Sequence, residues 1–479
     1  MKMYRISAIL LGLVFLLCGP QAQSQPCKCA EELSFVVRTV EENYIGGLDK
    51  IKTKPYRSLL DSLRREADHI GNANCLPVLR RYTAFYQDPH LSADYKFPLD
   101  TLSVRALFAS TEKVSLSEAD LRRYLDKPGR DPLEGIWEDD SRSYRIGIMK
   151  DGQQGRDFVG FVLSADGAFW TPGQVKLEVR KKGKAYQATY YMLEHDTLSL
   201  SLKTTAGTFE LSDGYGIWYK QYPKAKASAA PVAAAPAAEE PAFSYKLLDK
   251  VTGVLTLPSF RTIYKPVIDS IIQANRETIL RTKNLIIDVR DNFGGTTGAF
   301  EGIIPFLYTE PIVKDANSIW ATEANIKAFE VTLNWPDQTE QTKQETHKLV
   351  AKLKQQRNQV VSFPADTVKM DKVLPYPARV AIITNENTAS TAELFMLQAR
   401  QSRKVKVFGQ PTMGGVDYLD VNEVGTPCGL YAFRYPLTRN DRVLEKPTPP
   451  SRIPPDVALP ASTAEWVVFV RDYLAKHQQ

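Results

Sequence analysis

Histidine and cysteine are both scarce in this sequence, with five of each among 479 residues. No histidines cluster, and Cys27-Lys28-Cys29 is spaced too tightly for the usual zinc-binding pair, so neither a metal nor a cofactor is indicated. The chain also has only a small excess of positive over negative charge. The 61 lysines and arginines exceed the 55 acidic residues by six and form no block interleaved with aromatics, so nucleic acid is not an expected partner.

Long apolar runs are absent after the first 18 residues. Residues 8–18 form an apolar run that follows two basic residues and precedes a small-residue stretch, which predicts a secretory signal peptide over residues 1–24. The run is too short to span a bilayer. Lipid attachment at Cys18 is less favoured because Leu17 is large for the preceding position. We therefore expect an exported protein, periplasmic or extracellular, without a transmembrane segment. The oligomeric state is not indicated.

Removal of a signal peptide would leave four cysteines, at positions 27, 29, 75 and 428. Disulfides persist outside the cytoplasm. We expect Cys27 or Cys29 to pair with Cys75, which would tie the start of the chain to the first helical layer. The sequence alone leaves both pairings open.

Four regions differ in pattern after residue 24. Residues 25–130 show mainly helical spacing and are predicted to form a helical cap. Residues 131–223 alternate between apolar and polar positions, which predicts an antiparallel β domain, either a meander or a small barrel. Residues 224–241 are dominated by alanine and proline and are predicted to be a linker. Residues 242–479 begin with a strand and a helix, which favours an α/β domain.

Ser390 stands between a buried strand and a helix. The apolar run Val380–Ile383 precedes it, and apolar residues at helical spacing follow from Ala392. At such a turn the hydroxyl can be exposed, and the free N–H groups of the new helix can stabilise a negative oxygen. The alternative is that Ser390 is an ordinary helix N-cap.

Three further segments bear on this choice. Two strands run into glycine turns, Leu285–Gly295 and Val405–Gly415, and a third segment reads Ile453-Pro454-Pro455-Asp456-Val457. In this order and spacing, together with the Ser390 segment, they resemble the C-terminal processing (tail-specific) proteases, a superfamily of serine peptidases. The resemblance covers roughly residues 244–459. It implies a crotonase-like α/β protease core, with the helical cap and inserted β domain as additions.

The resemblance also implies roles for particular residues. Ser390 would be the nucleophile, and backbone N–H groups of Gly294 or Gly295 and of Thr391 would form the oxyanion hole. In one branch of the superfamily the general base is a lysine, but Gly415 occupies that position here. The chain is more similar to the tricorn-core-like branch, which uses serine, histidine and an acid.

The matching histidine is His90, in Asp88-Pro89-His90, which would act as general base. Without the resemblance it would be interpreted as a surface-loop histidine. The orienting acid is expected seven residues before Asp456, where this chain has Pro449, so Glu445 is the candidate.

The expected function is a secreted or periplasmic serine endopeptidase that cleaves peptide or protein substrates through an acyl-enzyme. The alternative is a catalytically inactive family member that binds peptides or apolar ligands. The missing lysine and Pro449 favour that alternative. An esterase is disfavoured because no Gly-x-Ser-x-Gly elbow is present.

Overall fold

The computed structural model describes residues 27–479 except for short gaps, which are 72–73, 154, 184, 206, 213–215, 225–242, 336–339, 446–451, 461, 464 and 478–479. The predicted signal peptide, Cys18, nearly all of the predicted linker and Pro449 lie outside the described residues. None of the helices in the described part of the chain combines the length and apolarity needed to cross a bilayer.

Helices dominate the N-terminal region. They are α1 (Cys29–Asn43), α2 (Lys54–Ile70), α3 (Leu76–Ala84), α4 (Thr101–Leu107) and α5 (Glu118–Leu125), with one strand, β1 (Ser92–Tyr95), between α3 and α4. Helix α2 begins where the Thr53 side chain accepts a hydrogen bond from the N–H of Tyr56. Its buried residues Leu60, Leu63 and Ala67 recur every three or four positions, which gives the helix one apolar face.

A closed antiparallel barrel follows the helices. Its strands are β2 (Gly135–Asp139), β3 (Tyr144–Lys150), β4 (Phe158–Ala165), β5 (Val175–Lys182), β6 (Ala185–Tyr191), β7 (Thr197–Thr204), β8 (Thr208–Leu211) and β9 (Ile217–Tyr222). Strand β9 pairs back onto β2 and closes the barrel. The register shifts within the β2–β9, β3–β4 and β4–β5 pairs, and such irregularities bend strands enough for closure. The predicted inserted antiparallel domain is confirmed as a barrel.

The C-terminal region alternates strands and helices. The strands are β10 (Ser244–Leu247), β11 (Thr252–Thr256), β12 (Asn284–Asp288), β13 (Ile312–Lys314), β14 (Asn317–Trp320), β15 (Val360–Phe363), β16 (Asp366–Val368), β17 (Arg379–Thr384), β18 (Val405–Gly409), β19 (Tyr418–Gly425), β20 (Tyr431–Asn440) and β21 (Val457–Ala458). The helices are α6 (Lys265–Ile279), α7 (Ile304–Leu307), α8 (Glu323–Thr332), α9 (Glu340–Gln355), α10 (Thr391–Ala399) and α11 (Trp466–Lys476).

One sheet forms the centre of the α/β core, with the strand order β10-β11-β12-β17-β18-β21. All neighbours pair in parallel except β10 and β11, which are antiparallel. Both faces are covered by apolar side chains, with α6 and α10 on one face and α11 on the other. The predicted α/β core is therefore confirmed. Because the strands are parallel, the loops that follow them emerge at one edge.

A second sheet joins the two ends of the chain. Strand β1 pairs with β20 in the register Ser92↔Arg434 to Tyr95↔Tyr431, and β14, β15 and β19 extend this sheet. Helices α1 to α4, α8 and α9 share one apolar core with it. The segment just before β1, which contains His90, is thereby fixed to the C-terminal region.

Two disulfides are present in the described residues, and one of them reinforces this connection. Cys29 pairs with Cys75, which confirms the expected crosslink of the first helical layer. Cys27 pairs with Cys428 in the turn between β19 and β20. The second pair was not predicted, because 401 residues separate its members in sequence.

Lys176, on β5, is a buried cation. Its ammonium donates a hydrogen bond of 2.9 Å to the carbonyl of Tyr191 and lies 4.1 Å from the ring centroid of Trp170 and 4.3 Å from that of Tyr144. Only 1% of its surface is exposed. Burial lowers the pKa of Lys176 to about 7.

We predict that Cys27→Ser with Cys428→Ser lowers the free energy of unfolding by about 2–4 kcal/mol, because the unfolded chain loses a covalent constraint. Thermal unfolding should show a lower Tm, and dithiothreitol should lower the Tm of the parent protein more than that of the double variant. Non-reducing peptide mapping that recovers Cys27 and Cys428 as free thiols would contradict the pairing.

A second prediction concerns pH. Above pH 7 the folded protein has released the Lys176 proton, whereas the unfolded chain keeps it up to about pH 10.4. The free energy of unfolding should therefore rise with pH across this window. Lys176→Met should remove that part of the rise, so denaturant titrations at pH 7 and pH 9 should show the variant gaining most at pH 7. Parallel pH profiles for the two proteins would contradict the prediction.

Candidate active site

Four loops meet at the carboxyl edge of the parallel sheet. They follow β11, β12, β17 and β18, and the last three are named here the glycine loop (residues 289–295), the serine turn (385–390) and the second glycine turn (410–415). Ligand and reaction sites in open parallel sheets form at this edge. The three sequence segments around Gly294, Ser390 and Gly414 therefore converge.

Ser390 has a strained backbone. Its φ is 56° and its ψ is −122°, a region that residues other than glycine rarely occupy. The turn is held by two bonds, from the N–H of Ala389 to the carbonyl of Asn292 (2.9 Å) and from the N–H of Ser390 to Glu393 Oε2 (2.8 Å). Strain that the surroundings maintain is typical of functional positions.

Glu393 connects this turn to the second glycine turn. One carboxylate oxygen accepts from the Thr412 hydroxyl (2.5 Å) and the Gly414 N–H (3.0 Å). The other accepts from the N–H groups of Gly415 and Ser390, both at 2.8 Å. The side chain is fully buried, and burial raises the pKa of Glu393 although these hydrogen bonds oppose the rise.

Sequence reasoning missed Glu393. The available signal was the spacing Ser-x-x-Glu, which at helix N-termini forms a capping box. Here the same carboxylate also anchors a second loop, and the chain pattern alone does not show that contact.

His90 lies in the histidine loop (residues 85–91), between α3 and β1. Its N–H donates to Asp88 Oδ1 at 2.9 Å, and the Tyr44 hydroxyl donates to Asp88 Oδ2 at 2.7 Å. Burial raises the pKa of Asp88. Asp88 therefore fixes the backbone of the histidine loop and does not bond the imidazole ring itself.

The ring of His90 has a defined partner at one nitrogen. Nδ1 lies 2.6 Å from the carbonyl oxygen of Tyr418. A carbonyl can only accept, so Nδ1 carries the proton, and in the neutral ring Nε2 is left with a free lone pair. This is the tautomer that a general base requires at Nε2.

Gly415 separates His90 from Glu393. A Cβ on Gly415 would lie 3.4 Å from His90 Cε1 and 3.6 Å from Glu393 Oε2, the oxygen that holds the N–H of Ser390. The structure thus brings His90 and the serine turn to one site from opposite ends of the chain. The position where a related branch has lysine faces the histidine ring, and glycine leaves the space for it.

The glycine loop packs directly on the serine turn. Gly294 has a φ of +93°, and a Cβ there would come within 2.8 Å of both Ser390 Cβ and the Thr391 nitrogen. The Gly294 N–H donates to Asn292 Oδ1 at 2.9 Å. In the described part of the chain no acceptor is assigned to the N–H groups of Gly295 and Thr391. Of the three candidate donors, these two are available to an external oxygen.

A side-chain bond links these two residues. The Thr391 hydroxyl donates to the carbonyl of Gly295 at 2.8 Å. Asp291, at the start of the same loop, accepts from the side-chain amides of Asn385 (2.8 Å) and Asn387 (2.9 Å). The spacing between the two free N–H groups is thus fixed by contacts on both sides.

In the described part of the chain no hydrogen bond joins Glu445 to this cluster. Glu445 is exposed after the short 3-10 helix Asp441–Leu444, and the bond assigned to it runs from its N–H to the carbonyl of Arg442 at 3.1 Å. Among the described residues the partner of the His90 ring is the Tyr418 carbonyl. The role of Glu445 stays a prediction.

A cavity of about 620 Å³ opens beside the cluster. Its walls come from the segment after Gly295, from helix α10 after Ser390 and from the residues after Tyr418. The lining residues are Thr297, Phe300, Glu301, Ile304, Val313, Lys314, Asp315, Asn317, Val368, Met370, Leu394, Leu397, Gln398, Gln401, Leu419, Asp420 and Asn440.

Comparison with known proteins finds a family match within the α/β core. Residues 251–457 match the model of the family described as Peptidase family S41. A comparison with curated proteins finds no match. Mature CPAF complexed with lactacystin is 14% identical, with a TM-score of 0.50 over 90% of this chain and 94% of that chain, and this likeness supports the fold alone.

Two other solved structures match more weakly. The photosystem II D1 C-terminal processing protease is 12% identical, with a TM-score of 0.34 over 90% of this chain and 93% of that chain. A lipoprotein from Streptococcus agalactiae is 11% identical, with a TM-score of 0.39 over 94% of this chain and 98% of that chain. At these scores neither likeness carries an argument.

We predict that Glu393→Gln slows the labelling of Ser390 by a fluorophosphonate probe about 10²-fold, because small misplacements of reacting groups cost that much. Glutamine has one acceptor oxygen, so it cannot accept from all four donors that the two oxygens of Glu393 now bind, and the free energy of unfolding should also fall by about 1–3 kcal/mol. Glu386→Gln, an exposed carboxylate in the serine turn, is the control and should change neither quantity. Normal labelling of Glu393→Gln would refute the positioning role.

Proposed function

We propose that this chain, whose residues 251–457 match the model of Peptidase family S41, is an exported serine endopeptidase with Ser390 as nucleophile and His90 as general base. The observation that carries the proposal is the bond from His90 Nδ1–H to the Tyr418 carbonyl, which leaves Nε2 as a proton acceptor beside the strained serine turn. The substrates are peptides or proteins.

The reaction follows from the available donors and acceptors. As the Ser390 oxygen attacks the substrate carbonyl carbon, its proton passes to His90 Nε2. The carbonyl oxygen becomes negative and accepts hydrogen bonds from the N–H groups of Gly295 and Thr391. The tetrahedral intermediate collapses when His90 returns the proton to the leaving amine, and an acyl-enzyme remains. Water then repeats the sequence and releases the acid.

The unusual part of this scheme is the support of the histidine. The Tyr418 carbonyl fixes the ring and its tautomer, as a carboxylate does in the serine–histidine–aspartate arrangement, but it carries no full negative charge. Burial raises the pKa of Asp88 and of Asp420, and the nearby His90 opposes the rise in both.

Export is supported by the two disulfides, Cys27–Cys428 and Cys29–Cys75. Disulfides of this kind persist in oxidising compartments. The apolar stretch at residues 8–18 agrees with this, since it has the pattern of a signal peptide.

The competing function is a binding protein without catalysis. The specific observation in its favour is that a neutral carbonyl is the only described partner of the His90 ring. Covalent labelling distinguishes the two functions, because a binder has no activated serine.

We predict that Ser390→Ala lowers peptide hydrolysis by about 10³-fold or more and abolishes fluorophosphonate labelling, with circular dichroism unchanged. His90→Ala should lower the acylation rate to a similar degree and leave the fold intact.

Glu445→Gln tests separately whether Glu445 is the acid that orients His90. If the Tyr418 carbonyl suffices, its activity should stay near that of the parent protein, whereas a loss like that of His90→Ala would assign the acid to Glu445. Near-normal turnover of Ser390→Ala would overturn the peptidase proposal.

A further inference from the structure

The cavity beside the site is bounded by the same segments that hold the reacting groups. Thr297 follows Gly295 by two residues, Leu394 lies one helical turn beyond Ser390, and Leu419 follows the residue whose carbonyl holds His90. A substrate with its carbonyl at Ser390 would therefore have the cavity next to that carbonyl. A volume of about 620 Å³ is ample for one long side chain.

Most of the wall is apolar. The helix α10 side contributes Leu394 and Leu397, and the side after the glycine loop contributes Phe300 and Ile304. Met370 and Val368 complete this surface. Such a wall binds the methylene groups of a long side chain, whether or not that side chain ends in a charge.

The cavity lining carries more negative than positive groups. Glu301, Asp315 and Asp420 are carboxylates, and Lys314 is the single ammonium in the lining, so two negative charges remain in excess. No ion pair in the described part of the chain involves any of these four residues. Lys314 is exposed on strand β13, where water competes for its charge.

Asp420 is the most constrained of the three carboxylates. It lines the cavity and is exposed there. Its Oδ2 accepts a hydrogen bond of 2.6 Å from the Thr438 hydroxyl. Its φ is 56°, so the backbone is held in a left-handed conformation. The protein thus presents at the cavity wall a carboxylate that pairs with no lysine or arginine in the described part of the chain.

From these observations we infer a substrate class: peptides with lysine or arginine as the residue whose carbonyl Ser390 attacks. The inference rests on the proposed function. The aliphatic stem of the basic side chain would lie along Leu394 and Phe300, and its cationic head would pair with Asp420. An acidic side chain would meet three carboxylates, and a neutral side chain would leave Asp420 unpaired.

The test uses four peptides that differ only at this residue, which is lysine, arginine, norleucine or glutamate. Norleucine matches the lysine stem without its charge. The parent protein should cleave the lysine peptide with a kcat/KM about 10- to 100-fold above the norleucine peptide, the range expected for one charged hydrogen bond. The glutamate peptide should be the poorest substrate.

Asp420→Asn should lower the lysine-to-norleucine ratio toward unity, because an amide cannot form a charge-assisted pair with the cationic head. Asp371→Asn is the matched control. It makes the same change at an exposed carboxylate next to Met370, outside the cavity lining, and should leave the ratio unchanged. If Asp371→Asn also shifted the ratio, the preference would come from the overall electrostatic field of the protein. That result would overturn the assignment to Asp420.

Two outcomes overturn the inference without touching the proposed function. One is a norleucine peptide cleaved as well as the lysine peptide by a protein that labels with fluorophosphonate. The other is an equal fall for both peptides in Asp420→Asn, which would mean that Asp420 acts through His90 only.

Binding to Ser390→Ala gives a readout that does not need hydrolysis. Fluorescence anisotropy should show the labelled lysine peptide bound more tightly than the norleucine peptide. If that preference holds while the parent protein neither labels nor cleaves, the cavity assignment stands and the catalytic proposal fails. Equal binding of the two peptides refutes the cavity assignment.

Discussion

The buried carboxylate of Glu393 is the contact on which the site depends. Its four hydrogen bonds hold the N–H of Ser390 on one side and the second glycine turn on the other. Without it, the turn at Ser390 would lose one of the two bonds that hold it, and Gly415 would lose the contact that fixes its N–H beside His90. A buried acid costs free energy, and here the cost is offset by donors that arrive from two different loops.

The second requirement is that a residue near the start of the chain reaches this edge of the sheet. Strand β1 does this by pairing with β20, and β20 also pairs with β19, which begins with Tyr418. The histidine loop and the carbonyl that orients its ring are therefore mounted on one sheet. The parallel sheet carries Ser390 and the second sheet carries the histidine loop, so the proposed nucleophile and base lie where the two sheets meet.

Local patterns predicted a large part of this arrangement. The strand-to-helix turn at Ser390, the glycine loop and the alternation of the barrel each follow from residues adjacent in sequence, where periodicity and turn chemistry act. One of the two disulfides was predicted for a similar reason, since its cysteines flank a short helical unit. The predicted roles of Glu445 and of the oxyanion donors stay predictions.

The features that were missed depend on contacts between distant segments. The Tyr418 carbonyl is a backbone group with no sequence signature, and it meets His90 only because β1, β20 and β19 pair. The Gly294 N–H is already bonded to the Asn292 side chain. The sequence motif contains both Gly294 and Gly295 and does not indicate which of the two N–H groups is free. Cys27 and Cys428 are 401 residues apart in sequence and meet where the start of α1 lies against the turn between β19 and β20.

The Cys27–Cys428 bond also gives the chain a topological property. It closes a covalent ring that contains both His90 and Ser390, together with the whole barrel. Any single cleavage of the backbone between the two cysteines opens the ring but leaves its two pieces joined by sulfur. If another peptidase, or another copy of this protein, cleaved the backbone once, the disulfide would keep the proposed base and nucleophile in one molecule. Only reduction of the disulfide as well would release them.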